Sequence, residues 1–190
     1  MVTNFSLGKI PETIPENPVK LVTWEEFLIN PNERMEWVDG KLVEKTGITF
    51  KHSVVQAKLA YYWRNYLNSS LQGGEVCTEA LCRTNKQGRR PDVAYITQDL
   101  LEEVGNDFTI LPQSFPLIAE IASPEDSGEG LFAKAQEYLE SGCLEVWLVF
   151  PEARLVMVNN SKNWLLFNAN EVVTTQNILT GFIVEVKELV

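Results

Sequence analysis

Residues 115–150 read FPLIAEIASPEDSGEGLFAKAQEYLESGCLEVWLVF, and three patterns follow one another within them. Phe115–Ala122 is an apolar run of strand length broken by one acid, Glu120. Ser127–Ser141 reads as a helix stopped by Gly142, with Leu131, Lys134 and Tyr138 three and four residues apart on one stripe. Leu144–Phe150 is again continuously apolar and of strand length. A strand, a covering helix and a second strand predict a sheet with a helix packed on it.

Working outward from this unit, the N-terminal side offers strands at about Glu75–Arg83 and Arg90–Ile96, the latter running into a short helix near Gln98–Val104. Before them, His52–Ser69 carries Val55, Leu59, Tyr62/Trp63 and Tyr66 at the spacing of a helix face packed on a sheet, and Gly73-Gly74 ends it. Asp39-Gly40 between Arg34–Val38 and Lys41–Glu44 is a type I′ hairpin signal, since both turn residues must adopt positive φ. Thr23-Trp24-Glu25-Glu26 has the form of a capping box opening a short helix that ends near Pro31. On the C-terminal side Arg154–Asn159, Trp164–Phe167 and Phe182–Val186 complete the strand set. The order predicts an α/β fold with a central mixed sheet and helices on both faces, as a single domain over residues 21–190. Pro11, Pro15 and Pro18 mark residues 1–20 as an extended arm.

The length of 190 residues suits one domain, and 45% hydrophobic residues suffice for a sizeable core. The first twenty residues lack the charged start and apolar middle of a signal peptide, and no apolar run reaches membrane-spanning length, so a soluble cytoplasmic protein is expected. Cys77, Cys82 and Cys143 are an odd number, which predicts buried thiols rather than a disulfide framework. One histidine leaves too few members for a four-ligand zinc site, and no G-x-S-x-G turn presents a nucleophile. The net charge of −10 excludes a surface that is basic all over. Basic charge is concentrated instead: Ala80–Pro91 holds Arg83, Lys86, Arg89 and Arg90 and no acid, as a solvated hairpin tip or a local anion contact.

Asp92 opens one apolar strand and Glu120 lies inside another. An ionised acid in such a place costs several kcal/mol unless paired, bound to a metal or neutralised. Taken singly, Asp92 reads equally as a strand-end acid capping a turn and Glu120 as a salt-bridged core acid. Lys134 shares its stripe with apolar residues rather than with Glu129, Glu137 and Glu140. It either snorkels to water or supplies a cation beside Asp92 and Glu120.

Five segments carry a resemblance: Arg34 through Glu44, Pro91-Asp92-Val93, Glu120-Ile121-Ala122-Ser123-Pro124, Lys134 through Tyr138 to Gly142, and Glu145-Val146-Trp147. In their order and spacing the chain, from about Thr23 to Val158, resembles the Uma-two family of restriction endonucleases. The resemblance implies the restriction-endonuclease-like fold of the PD-(D/E)-x-K nuclease superfamily. In the usual D/E-x-K arrangement acid and lysine are two apart on one strand, and here that place is Ala122. The resemblance implies that the lysine has migrated to the following helix, where Lys134 matches.

The implied activity is metal-assisted hydrolysis of DNA phosphodiesters. Asp92, Glu120 and the backbone carbonyl of Ile121 would hold Mg²⁺ or Mn²⁺, and Lys134 would orient water or steady developing charge. Glu36 matches a family glutamate and joins the acidic cluster, or else pairs with Arg34. His52 matches a family position and contacts substrate, or else is a surface residue near a helix start. Arg89 and Arg90, with Lys86 and Arg83, stand on the approach of a phosphate to Asp92. Two readings compete: a non-catalytic binding or assembly module on the same fold, and a glycosidase using Asp92 and Glu120 as acid and base. Apolar residues of Leu144–Val190 suggest a homodimer.

Overall fold

The computed structural model describes residues 20–31 and 34–190, so the expected arm over residues 1–20 lies, except for Lys20, outside the described residues. The elements in chain order are α1 (Trp24–Ile29), β1 (Met35–Val38), β2 (Lys41–Glu44), α2 (Phe50–Ser70), β3 (Glu75–Thr78), β4 (Cys82–Arg83), β5 (Gly88–Arg89), β6 (Val93–Ile96), α3 (Gln98–Val104), β7 (Leu117–Ile121), α4 (Gly128–Glu140), β8 (Glu145–Phe150), β9 (Leu155–Asn159), β10 (Trp164–Asn168), β11 (Val172–Thr174), β12 (Ile183–Glu185) and α5 (Val186–Leu189).

A six-stranded sheet in the order β10-β9-β8-β7-β6-β3 forms the centre. It is mixed because β7 and β8 run parallel through the α4 crossover while the other neighbours are antiparallel. On one face α2 packs Val55, Leu59, Trp63 and Leu67 against Val93, Leu117, Ala119 and Trp147. On the other, α4 packs Leu131, Ala135 and Tyr138 against Ala94, Ile118, Val146 and Leu148. Burying each of these larger apolar side chains contributes roughly 1.5–3 kcal/mol. The alternation that sends Leu117, Ala119 and Ile121 to α2 sends Ile118 and Glu120 to α4, which puts an acid on an apolar helix's side of the sheet.

Local signals explain the ends of these elements. The Thr23 hydroxyl accepts from the Glu26 N–H at 3.1 Å while Glu26 accepts from the Thr23 N–H at 2.8 Å, closing the capping box of α1. Asp39 and Gly40 adopt φ of 50° and 78°, and Val38 pairs with Lys41 across the two-residue turn. Gly142, at φ 98°, follows α4, and the Cys143 N–H bonds the Tyr138 carbonyl across it. In α2 the inner stripe passes through Leu67, with Tyr66 only partly buried, and Leu71 at φ 61° turns the chain before the two glycines do.

The expected strand over 75–83 is two strands. It breaks at Glu79, whose φ of 56° turns the chain out of the large sheet. The following β4 belongs to a four-stranded sheet in the order β2-β1-β5-β4. Cys77 and Cys82 therefore lie in different sheets. Likewise Arg89 belongs to β5 in the small sheet, and the strand expected from Arg90 begins at Val93.

Candidate active site

Where the small sheet meets the large one, a cavity of about 380 Å³ opens, and Glu36, Lys45, His52, Asp92, Glu120 and Lys134 all line it. Asp92 precedes β6, and the Val93–Ala119 pairing brings it to the end of β7. There its Oδ2 accepts from the Ile121 N–H at 2.7 Å and lies 3.2 Å from His52 Nε2, which must carry the proton because the ionised carboxylate only accepts. Its Oδ1 accepts from Lys45 Nζ at 2.7 Å. Burial would raise the Asp92 pKa, but His52 and Lys45 outweigh it and hold the carboxyl well below the usual range. In return Asp92 raises the His52 pKa against the effect of burial.

Glu120 meets α4. Its Oε1 accepts from the Tyr138 hydroxyl at 2.7 Å and lies 3.1 Å from Lys134 Nζ. Burial, reinforced by the negative charge of Asp92, outweighs Lys134 and raises the Glu120 pKa. Lys134 also stands 2.9 Å from Glu36 Oε1. Burial would lower the lysine's pKa, but Glu120 and Glu36 dominate and keep it protonated. Glu36 in turn accepts from the Arg90 N–H at 2.9 Å and from Arg89 Nη1 at 3.0 Å. Burial opposes its ionisation, yet Lys134 and Arg89 hold it down at about 2. The partners of Glu36 thus come from α4 and β5, not from Arg34.

The arginines of the basic segment are engaged by neighbours within the fold, while Lys86 stays exposed at the surface. Arg89 grips Glu137 through Nε and Nη2 (2.7–3.3 Å) as well as Glu36, and only 15% of its side chain is exposed. Arg90 donates to the carbonyls of Met35 and Glu79. Arg83 stacks over Trp24 at 4.0 Å, and Lys86 reaches Glu140 at 3.7 Å. None of the four lines the cavity. Among the described residues the cysteines are free thiols, and burial pushes those of Cys77 and Cys143 up to about 12, well away from nucleophilic character.

Lys45, Gln56 and Glu79 are site residues that sequence reasoning passed over. Lys45 Nζ donates to Glu79 Oε2 and to the Arg90 carbonyl, both at 2.8 Å, besides Asp92. Gln56 Nε2 donates to Glu79 Oε1 and the Asp92 carbonyl, both at 2.9 Å. Gln56 stands four residues after His52, one turn along the same helix face, and that spacing was a usable signal. Lys45 follows a hairpin in a loop, where no periodicity marks it.

The donor set suits a small hard cation. Two buried carboxylates, Asp92 and Glu120, face one cavity, and burial in the first place, with the Asp92 charge beside it, raises the Glu120 pKa. Among the described residues no three or more His, Cys, Asp or Glu side chains are grouped so as to hold a metal ion; with two carboxylates alone, a cation here would keep several waters.

The comparisons agree with this architecture. A family model described as "Uma2: Putative restriction endonuclease" matches residues 21–187. The chain belongs to the Uma2 family. Beside this Uma2 chain stands the crystal structure of a "putative nuclease belonging to DUF820" from Anabaena variabilis, similar with a TM-score of 0.78. At 22% identity the match covers 88% of this chain and 97% of that one, and it establishes the shared fold, a large mixed sheet flanked by helices. No curated protein matches. Among the described residues no helix is long and apolar enough to cross a membrane.

Proposed function

We propose that this chain is a metal-dependent endonuclease that hydrolyses DNA phosphodiesters, working in the cytoplasm as a homodimer. The observation that carries the reading is the convergence of Asp92, Glu120 and Lys134 on one cavity, with the lysine 3.1 Å from Glu120 although it comes from α4 and not from the strand. The family's description and that of the Anabaena protein support a nuclease.

Asp92, Glu120 and the carbonyl of Ile121 would hold Mg²⁺ or Mn²⁺. When bound, the ion neutralises phosphate charge and lowers the pKa of a water. The chain's own residues do the rest. Lys134 stays protonated, so it serves as a cation and hydrogen-bond donor to a phosphate or water oxygen and not as the proton acceptor. Glu36 and Glu120 fix the position of its ammonium, and Arg89 with Glu137 fixes Glu36. His52 and the Ile121 N–H orient Asp92 from one side, leaving its Oδ1 toward Lys45. The arginines act in this reading as supports for the site; any phosphate contact is made by Lys134.

The test is cleavage of plasmid DNA, with an RNA of equal length in parallel, in Mg²⁺ and in Mn²⁺. Asp92→Ala and Lys134→Met should each lower the rate by at least a hundred-fold, with calorimetric metal binding lost only in the first. A wild type that cuts neither nucleic acid, or an Asp92→Ala variant that cuts at the wild-type rate, overturns the proposal.

A further inference from the structure

Asp92 has two oxygens and they are used differently. Oδ2 is taken by His52 and by the Ile121 N–H, whereas Oδ1 has one partner among the described residues, the ammonium of Lys45 at 2.7 Å. That oxygen is the one left for a metal. An ammonium and a divalent cation sharing it would lie a few ångströms apart and repel strongly. The metal reading therefore requires Lys45 to give way, and the surroundings show where it would go.

Lys45 sits in a wall between two cavities. One holds the carboxylates already described; the other, of about 550 Å³, is lined by Glu79, Arg90, Arg34 and Gln56. On the side of the second cavity Nζ already donates to Glu79 Oε2 and the Arg90 carbonyl, both at 2.8 Å. Glu79 is a prepared acceptor. Gln56 holds its other oxygen, its N–H bonds the Pro91 carbonyl, its carbonyl takes Arg90 Nη1, and its backbone is in the left-handed region at the point where the chain changes sheets. The Lys45 backbone is fixed as well, its N–H bonded to the Arg34 carbonyl at 3.0 Å, so any change of partner falls to the side chain, whose ammonium already bonds both carboxylates.

We propose that Lys45 is a displaceable counter-cation: it neutralises Asp92 until a divalent cation takes Oδ1, and then withdraws onto Glu79. The inference rests on the reading of Asp92 as a metal ligand. Its consequence is that metal affinity is set by an exchange, with Lys45 opposing the ion and Glu79 favouring it by receiving the lysine.

Calorimetric titration of Mn²⁺ into the full chain tests this without reference to activity. Lys45→Met should bind Mn²⁺ about ten-fold more tightly than wild type, because the competing charge is gone. Glu79→Gln should bind several-fold more weakly, because the displaced lysine loses its carboxylate. In the Lys45→Met background the Glu79→Gln change should shift affinity less than two-fold, the coupling expected of two residues acting through one exchange. If Lys45→Met does not fold, Lys45→Gln carries the same expectation, since it keeps a donor for Glu79 without the charge. Metal binding that is lost in Asp92→Ala but unchanged or weaker in the Lys45 variants overturns the exchange and leaves the metal site standing. Binding absent throughout, or unaffected by Asp92→Ala, overturns both.

Discussion

The Lys134 ammonium lies 2.9 Å from Glu36 Oε1, joining a helix on the large sheet to a strand of the small one. This contact closes the wall of the cavity and holds Lys134 toward Glu120. Its consequence lies in the acid range.

Glu36 is held at about 2, whereas in an unfolded chain it would titrate near the ordinary carboxylate value of about 4.3. Between those values the unfolded state binds more protons. The stabilisation is therefore complete above about pH 5 and lost progressively as pH falls toward 2. Its size at neutral pH is on the order of 3 kcal/mol. Urea unfolding from pH 7 to pH 3 should show wild type losing stability more steeply than Glu36→Gln, with the two curves converging at the acid end.

Tyr138→Phe removes the hydroxyl that donates to Glu120 at 2.7 Å and nothing else. A hydrogen bond to a charged carboxylate contributes about 1.5–3 kcal/mol, and its loss disfavours the ionised form, so the Glu120 pKa rises further. The acid limb of the cleavage profile should move to higher pH while activity on the plateau is retained. A pH–rate profile alongside a thermal melt separates this from simple loss of packing.

Glu145 is fully buried at the start of β8, accepting from Trp147 Nε1 at 2.7 Å and from the Gln176 and Asn177 N–H groups at 2.6 and 2.8 Å. It pairs in register with Leu117, three residues and so about 10 Å along the sheet from Glu120. Glu145→Ala strands three donors and should cost about 3 kcal/mol of stability. Because the carboxylates of the cavity are at the other end of β7, Mn²⁺ titration of the folded variant should match wild type.

Leu144, Leu166, Val172 and Ile183 are each about half exposed or more, and all lie on or beside the C-terminal strands, where β10 forms the edge of the large sheet. A dimer through this region should give twice the 21.5 kDa chain mass in light scattering at micromolar concentration, and Leu166→Lys or Ile183→Lys should return it toward the single-chain value.

The fold was largely legible because its signals are local. The capping box at Thr23, the turn at Asp39-Gly40 and the apolar runs of β7 and β8 each constrain a few neighbouring residues and need no partner to be read. Asp92, Glu120 and Lys134 stood out as charges in apolar surroundings, and the structure brings them to one cavity. What was illegible depends on distant pairs. Arg89 looked available to a phosphate because Glu36 and Glu137, its partners, are remote in the chain. The break at Glu79 carries no glycine, proline or asparagine to mark a turn, and only the second sheet gives the chain a reason to turn there. Lys45 was invisible because its partners are remote in the chain and no periodicity marks its loop.

With Arg89 held in ion pairs and Arg83 stacked on Trp24, a chain of net charge −10 that acts on DNA as proposed would meet a polyanion with little outward attraction. Most DNA-binding proteins lose affinity as salt rises because counterions must be displaced from the phosphates. Here the dominant long-range force is repulsion, which a Debye length of about 10 Å at 0.1 M salt largely silences. Moderate ionic strength should therefore speed the encounter with DNA rather than slow it, and recognition would begin only once the strand is close enough for the cavity itself to act.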